Sequence, residues 1–404
     1  MIVLKNYVRL LYMVGLLCIV AAPVRAKHKS WIEVSAVSDS IIWMGRHYNH
    51  DGSAYFSFPG VSMRVGYVAD SLKARLIQLD GRESVGFYSI VDGTDTTFIQ
   101  LEKGREEYLL ATHKDKKKHT IELIRLNESQ VGVVRFDGFS YYAKKVGHIA
   151  PQEERSRKME FIGNSITCGY GIEDTSNTPG FTAVRQNITK TYGALVARNF
   201  HAQSHYVAAS GYGLYRFVTG EDSMQTIPYI YNQSFLRPLQ EMEEGEKRVL
   251  KYMSCYEGDT STYPTKWNYA EYQPDVVVVN LGTNDFNATA NCGVPTDSAR
   301  FVKSGLTFLL RLRAHYPHAA IICVVGPMLS DDYPQGEMAW SRCQRYVKEM
   351  VQIRNRKKGD WNVYYFNFQP QKAPYGEDWH PSYITHRKMA TELSDFIEHL
   401  NLEW

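Results

Sequence analysis

Metal-ligand spacings are missing from this sequence. It has no Cys-x-x-Cys pair and no His-Glu-x-x-His run, so zinc ribbons and zinc-dependent hydrolases lack their ligands and no metal is expected. Net charge is scarce too. The 46 Lys and Arg nearly balance the 43 Asp and Glu, leaving +3, and such a balance gives no electrostatic capture of nucleic acid or anionic lipid. Gly163, Gly169 and Gly171 fit neither the dinucleotide fingerprint nor a phosphate loop, which needs lysine directly after its last glycine; no nucleotide cofactor is expected. Internal repeats and low-complexity tracts are absent as well.

Long apolar runs are confined to the amino terminus. Behind Lys5 and Arg9, residues 10–22 are apolar, and Val24-Arg25-Ala26 ends the stretch on a small residue before Lys27. Positive charge, a short apolar run and a small residue at the cut are the parts of a secretory signal peptide, here residues 1–26, and imply a secreted or periplasmic protein. A single membrane anchor is the competing reading, but the run is short for a span of roughly 20 residues. A lipoprotein cut at Cys18 is disfavoured by the bulk of Leu17. Past the leader, cysteines remain at 168, 255, 292, 323 and 343, an odd number that cannot pair completely; one disulfide at most is expected, with Cys255 and Cys292, both in polar loop-like surroundings, as the candidate pair. Cys323, within Ile-Ile-Cys-Val-Val, reads as a small buried hydrophobe.

What is present falls into two textures, and 404 residues with 44% hydrophobic content suit two domains. Residues 27–150 read as a β-sandwich of the jelly-roll kind. Short alternating runs at 54–58, 61–65, 86–91 and 119–126 are split by Asp-Gly turns at Asp51, Asp80, Asp92 and Asp137. The charged run 114–119 reads as a solvated hairpin tip. After a polar linker at 151–157, buried-type strands at 159–163, 205–210, 275–280 and 320–325 alternate with helical patterns at 192–200, 298–315, 340–356 and 386–400. That alternation predicts an α/β domain over 151–404, three layers with a central parallel sheet. The 28 Tyr, 17 Phe and 7 Trp suit a core first and a sugar-binding cleft second.

The first three strands are each followed by a polar cluster, Gly163-Asn164-Ser165, Ser210-Gly211-Tyr212-Gly213 and Leu281-Gly-Thr-Asn284-Asp285, and a fourth, Asp378-Trp379-His380-Pro381, lies in the loop before the last helix. Carboxyl ends of parallel strands are where such sheets hold ligands. Ser165 is the candidate nucleophile and His380 its base, with the N–H groups of Ser165 and Gly211 and the Asn284 amide as candidate oxyanion donors. Taken singly, a serine or asparagine at such a turn is more often a turn former; four clusters together point to acyl transfer.

The runs Glu160-Phe-Ile-Gly-Asn-Ser-Ile-Thr-Cys-Gly-Tyr-Gly171, Ser210-Gly-Tyr-Gly-Leu-Tyr-Arg216, Gln273-Pro-Asp-Val-Val-Val-Val-Asn-Leu-Gly-Thr-Asn-Asp-Phe286 and Asp378-Trp-His-Pro-Ser382 resemble carbohydrate esterase family 2 of the SGNH hydrolases. The resemblance spans nearly all of the chain past the leader. It implies a jelly roll followed by an SGNH domain and a secreted esterase removing acetyl groups from polysaccharides such as xylan or glucomannan, or from oligosaccharides, without cofactor or metal. A monomer without nucleic-acid partner is expected. The family's aspartate before the nucleophile is Asn164 here, which keeps one acceptor and loses the charge. The usual triad aspartate, three residues before the histidine, is Glu377, so the resemblance favours a Ser-His dyad oriented by a backbone carbonyl, with Glu377 the runner-up and Asp378 structuring the loop. Trp379, Tyr212, Tyr215, Arg216 and Phe286, adjacent to the clusters, are candidate substrate contacts. Two other readings stay open: a carbohydrate-binding protein with an inactive second domain, or a lipid or short-chain esterase.

Overall fold

The computed structural model describes residues 28–81, 83–144, 155–177, 179–220, 225–236 and 266–403. The expected leader, Cys18, Cys255 and most of the polar linker lie outside these residues.

The first domain is built from two antiparallel sheets. One runs Tyr48–His50, Ser53–Phe56, Val134–Ala143, Ser71–Gln78, Glu107–Thr112, with Ser30–Ser35 also pairing to Val134–Ala143. The other runs Ile42–Met44, Ser62–Tyr67, His119–Arg125, Gly86–Val91, Asp95–Gln100. From Ser53–Phe56 onward, successive strands alternate between the sheets in the order of a jelly roll, except that Gly86–Val91 and Asp95–Gln100 form a hairpin within one sheet, and the two sheets close on one core. Alternation drives it: in His119–Arg125 every second residue is buried. Phe56, Met63, Leu76, Phe87, Leu123 and Phe136 fill the space between the sheets.

Two Asp-Gly pairs form the expected hairpin turns. Asp51 and Gly52 have φ of 47° and 78°, and Asp92 and Gly93 have 50° and 74°, the double positive φ that suits the twist of a two-residue hairpin. Asp137-Gly138 behaves differently. It lies inside Val134–Ala143 as a β-bulge, where the register slips between Phe136 and Gly138 and a Cβ on Gly138 would sit 2.0 Å from the Val34 carbonyl oxygen. The charged run near 114–119 is exposed as expected except at its end, where His119 is buried between Asp92 and Asp115 at 2.8 Å each.

The second domain has a five-stranded parallel sheet in the order Gln203–Ala208, Lys158–Gly163, Val276–Asn280, Ala320–Val325, Val363–Asn367. Helices flank it at Tyr192–Asn199, Ser298–His315, Ala339–Gln352 and Tyr383–His399. The helix Ser298–His315 starts at Asp297, whose side chain accepts the Arg300 N–H, and buries Phe301, Gly305, Phe308, Leu309 and Leu312 on one stripe. Strand order reverses about Lys158–Gly163, so the chain leaves two neighbouring strands in opposite directions and opens a crevice at their carboxyl ends.

The domains share a sealed boundary. Arg46 of the jelly roll is fully buried, paired with Glu160 at 2.9 Å and lying 4.6 Å from the Tyr231 ring centre. No described helix is long and apolar enough to cross a membrane.

Candidate active site

Ser165 opens a four-residue helix directly after the strand Lys158–Gly163. The turn is tight because Gly163 faces Thr167, where an added Cβ would lie 2.0 Å from the hydroxyl oxygen. Asn164 caps the helix, its Oδ1 accepting the Ile166 N–H at 3.1 Å, so the expected acceptor is kept. Its buried Nδ2 has no partner among the described residues.

His380 lies 215 residues further along the chain, yet its Nε2 is 2.8 Å from Ser165 Oγ. Its Nδ1 donates to the backbone carbonyl of Glu377 at 3.0 Å, which fixes the tautomer that leaves Nε2 free to accept. Burial pushes the imidazole pKa down to about 4, against the smaller opposing pull of the Glu377 carbonyl and the nearby Asp378 charge. Tyr170 stacks on the ring at 4.1 Å.

The two carboxylates before His380 face away from it. Glu377 is fully buried and bonds Arg185 at 2.9 Å and Thr182 at 3.2 Å; burial raises its pKa, which those two partners oppose. As a side chain it is therefore not the orienter; its main-chain carbonyl is. Asp378 accepts the Tyr170 hydroxyl at 2.7 Å and the Gly180 N–H at 3.1 Å, holding the loop and the stacked ring.

Gly211 and Asn284 border the same cleft as Ser165 and His380. Gly211 has φ of 83° and a Cβ there would meet the Phe217 ring at 2.5 Å, so glycine is required. Asn284 lies in the first turn of Thr283–Cys292, and one hydrogen of its amide goes to the Tyr212 carbonyl at 2.9 Å, leaving the second for the cleft. The next residue, Asp285, is buried and accepts the N–H groups of Leu214 and Tyr215 at 2.8 and 2.9 Å. Burial raises its pKa against those bonds.

None of the five candidate substrate contacts lines the cleft. Arg216 is fully buried and spends its guanidinium on the carbonyls of Asp285 and Val294 at 2.8 Å each and on Thr296 at 3.1 Å. Phe286 packs on Phe301 and Tyr346 in the core. Tyr215 is buried with its hydroxyl accepting the Asp297 N–H, and Tyr212 is buried against Phe217. Trp379 alone is exposed, at 59%, on the loop beside His380, though it does not line the cleft itself. The cleft measures about 270 Å³, and its lining includes Asn287, Asn291, Met328 and Tyr333, which no sequence signal singles out. Tyr170 falls inside the quoted first motif, but its stacking on His380 needed the fold to be seen.

Among the described residues, one group has the ligand types for a metal ion. His113, Asp115 and His119 on the jelly roll each offer a ligand atom, all within 4.8 Å. The two imidazoles lie parallel at 3.6 Å, however, so their in-plane lone pairs do not converge on one point.

A family model for the carbohydrate esterase 2 N-terminal region matches residues 43–151, and one for GDSL-like lipase/acylhydrolase matches residues 159–393. The chain is 33% identical to the Cellulase/esterase CelE of Acetivibrio thermocellus over 79% of its own length, spanning 34% of that larger protein. With an acetylxylan esterase / glucomannan deacetylase of Cellvibrio japonicus it shares 25% identity, covering 92% of this chain and 91% of that one. A family two carbohydrate esterase from Clostridium thermocellum, solved in complex with cellohexaose, superposes with a TM-score of 0.72 at 30% identity, covering 89% of this chain and 98% of that chain. With both domains matched in order, the chain belongs to the carbohydrate esterase family 2 branch of the GDSL-like hydrolases.

Proposed function

We propose that the protein is a secreted carbohydrate O-acetyl esterase that works through an acyl-enzyme on Ser165, with acetylated xylan or glucomannan, or their oligosaccharides, as substrate. The observation that carries this reading is the relay from the Glu377 carbonyl through His380 to Ser165 Oγ, at 3.0 and 2.8 Å. Ser165 Oγ attacks the acetyl carbonyl as its proton passes to Nε2, and the N–H groups of Ser165 and Gly211 with the Asn284 amide receive the oxyanion. Nε2 then protonates the departing sugar oxygen. Water repeats the cycle: it gives a proton to Nε2 as its oxygen attacks the acetyl ester, and Nε2 passes that proton to Ser165 Oγ as the Oγ–acyl bond breaks, leaving the serine hydroxyl and acetic acid, which ionises to acetate.

The carbonyl oxygen at Nδ1 orients the ring and carries no charge to stabilise an imidazolium, so this is a dyad. A cleft of about 270 Å³ suits a small acyl group better than a long chain. Trp379, exposed beside it, offers a flat face to a sugar ring. The test is acetate release from acetylated xylan, glucomannan and simple acetylated sugars by the wild type and Ser165→Ala. Release lost in the variant supports the reading; sugar binding without release by the wild type would favour the carbohydrate-binding alternative. Export is tested by amino-terminal sequencing of secreted protein, expected to begin after Ala26.

A further inference from the structure

The jelly roll reaches the oxyanion side of the cleft through one short loop. Residues 127–132 follow the strand His119–Arg125 and turn through the 3-10 segment Ser129–Val131. The fully buried Arg125 braces this loop from beneath, with its Nε on the Asn127 carbonyl at 2.9 Å and its Nη2 on the carbonyls of Glu128 and Gly132 at 2.9 and 2.6 Å. Asn127 also donates to the Ala183 carbonyl of the second domain at 2.7 Å. The loop is thus fixed to both domains.

Two of its side chains close on one residue. Glu128, 2% exposed, accepts the Ser210 N–H at 2.7 Å and the Ser210 hydroxyl at 2.6 Å, and Gln186 Nε2 bonds the same carboxylate at 3.0 Å. Gln130 Nε2 donates to the Ser210 carbonyl oxygen at 2.7 Å. The N–H, the carbonyl and the hydroxyl of Ser210 are therefore all held by the jelly roll. The bond from Ser210 to Gly211 is not among the cis peptides, so its N–H points opposite to its carbonyl. With the carbonyl drawn toward the jelly roll, the Gly211 N–H faces the other way, and Gly211 borders the cleft that holds Ser165 and His380.

We infer that Glu128 and Gln130 are positioning residues for the hydrolysis, the first domain setting the Gly211 N–H as an oxyanion donor for chemistry carried out on the second. This rests on the acyl-enzyme reading above. A free peptide would have to turn its dipole during the reaction, whereas a held one has paid that cost in folding. Both domains are then parts of one active site.

Gln130 is exposed, so Gln130→Ala removes the carbonyl's donor without opening the core. Turnover of 4-nitrophenyl acetate and affinity for phenylboronic acid, which forms a tetrahedral adduct on a reactive serine, are measured for the wild type, Gln130→Ala, Glu128→Gln and Ser165→Ala. Releasing a donor costs less than deleting one, so Gln130→Ala is expected to lower kcat about tenfold and boronate affinity in parallel, with KM within about twofold. Glu128→Gln, with its carboxylate replaced between Ser210 and Gln186, is expected to lose more. Thermal unfolding of Gln130→Ala is expected to match the wild type. Unchanged kcat and boronate affinity in Gln130→Ala, or a loss carried by KM alone, overturns the inference while a dead Ser165→Ala leaves the acyl-enzyme standing. Full turnover in Ser165→Ala overturns both. Should Glu128→Gln fail to fold, Gln130→Ala decides alone.

Discussion

At the residue scale, His380 must be neutral to take a proton, and burial keeps it so by pushing its pKa down to about 4. The neutral fraction lies above the pKa, so kcat/KM is expected to hold from neutral pH down to about 5 and to halve near 4, where an unperturbed imidazole would halve near 6.5. A pH–rate profile of the free enzyme reads this directly, and an acidic limb centred near 6.5 would contradict it. The orienting group makes a second prediction. Glu377→Gln keeps the main-chain carbonyl that holds Nδ1, so kcat is expected to fall by no more than about threefold, whereas neutralising a true triad carboxylate costs on the order of 10⁴-fold.

Ser165 and His380 were legible in the sequence because each sits in a motif whose neighbours constrain it. The substrate contacts were not. Arg216 and Phe286 adjoin catalytic clusters along the chain, but adjacency in sequence does not decide exposure, and in space one ties loops together while the other packs the core.

At the scale of elements, the site is a set of strand ends. Ser165 follows Lys158–Gly163, Gly211 lies just beyond Gln203–Ala208, and Asn284 just beyond Val276–Asn280, three adjacent strands whose register fixes the loops together. Gly211 needs its positive φ and has a ring where a Cβ would go, so Gly211→Ala must shift the loop. Misplacing that N–H is expected to lower kcat about 100-fold, and the strained φ and ring contact to lower the unfolding midpoint as well, as judged by steady-state kinetics beside thermal melts.

Helix Ser298–His315 was readable to the residue because an aspartate cap and an apolar stripe agree. The edge strand Val363–Asn367 escaped, since Tyr364, Tyr365 and Phe366 are half-buried on both faces and show neither alternation nor a plain apolar run. The helix Thr283–Cys292 escaped for a related reason: its sequence is mostly small and polar, and its start is set by Gly282 at φ 115°, with no side-chain cap. At Asp137-Gly138 the usual turn pair became a bulge because Ser30–Ser35 and Ser71–Gln78 flank the strand on either side.

For the whole molecule, the sequence shows two textures but not how they join, because the joining residues look ordinary along the chain. Arg46 has no local partner; Glu160, 114 positions away, receives it in full burial. Removing one partner of a buried pair strands the other charge, so Arg46→Ala is expected to destabilise the protein by about 3–5 kcal/mol in denaturant unfolding. Replacing both by apolar residues of similar volume should cost much less, since neither charge is then left alone.

The domains meet again at Glu128, which makes the catalytic rim a joint product of both. The central claim, that an ester's acetyl group passes through the hydroxyl of residue 165, is tested most directly by intact-mass and peptide analysis of protein mixed with 4-nitrophenyl acetate and quenched in acid within the first turnover. The account predicts one acetyl group per chain, carried on Ser165 and missing from Ser165→Ala. Unmodified Ser165 during full turnover, or an acetyl group trapped on another residue whose replacement abolishes activity, would contradict it.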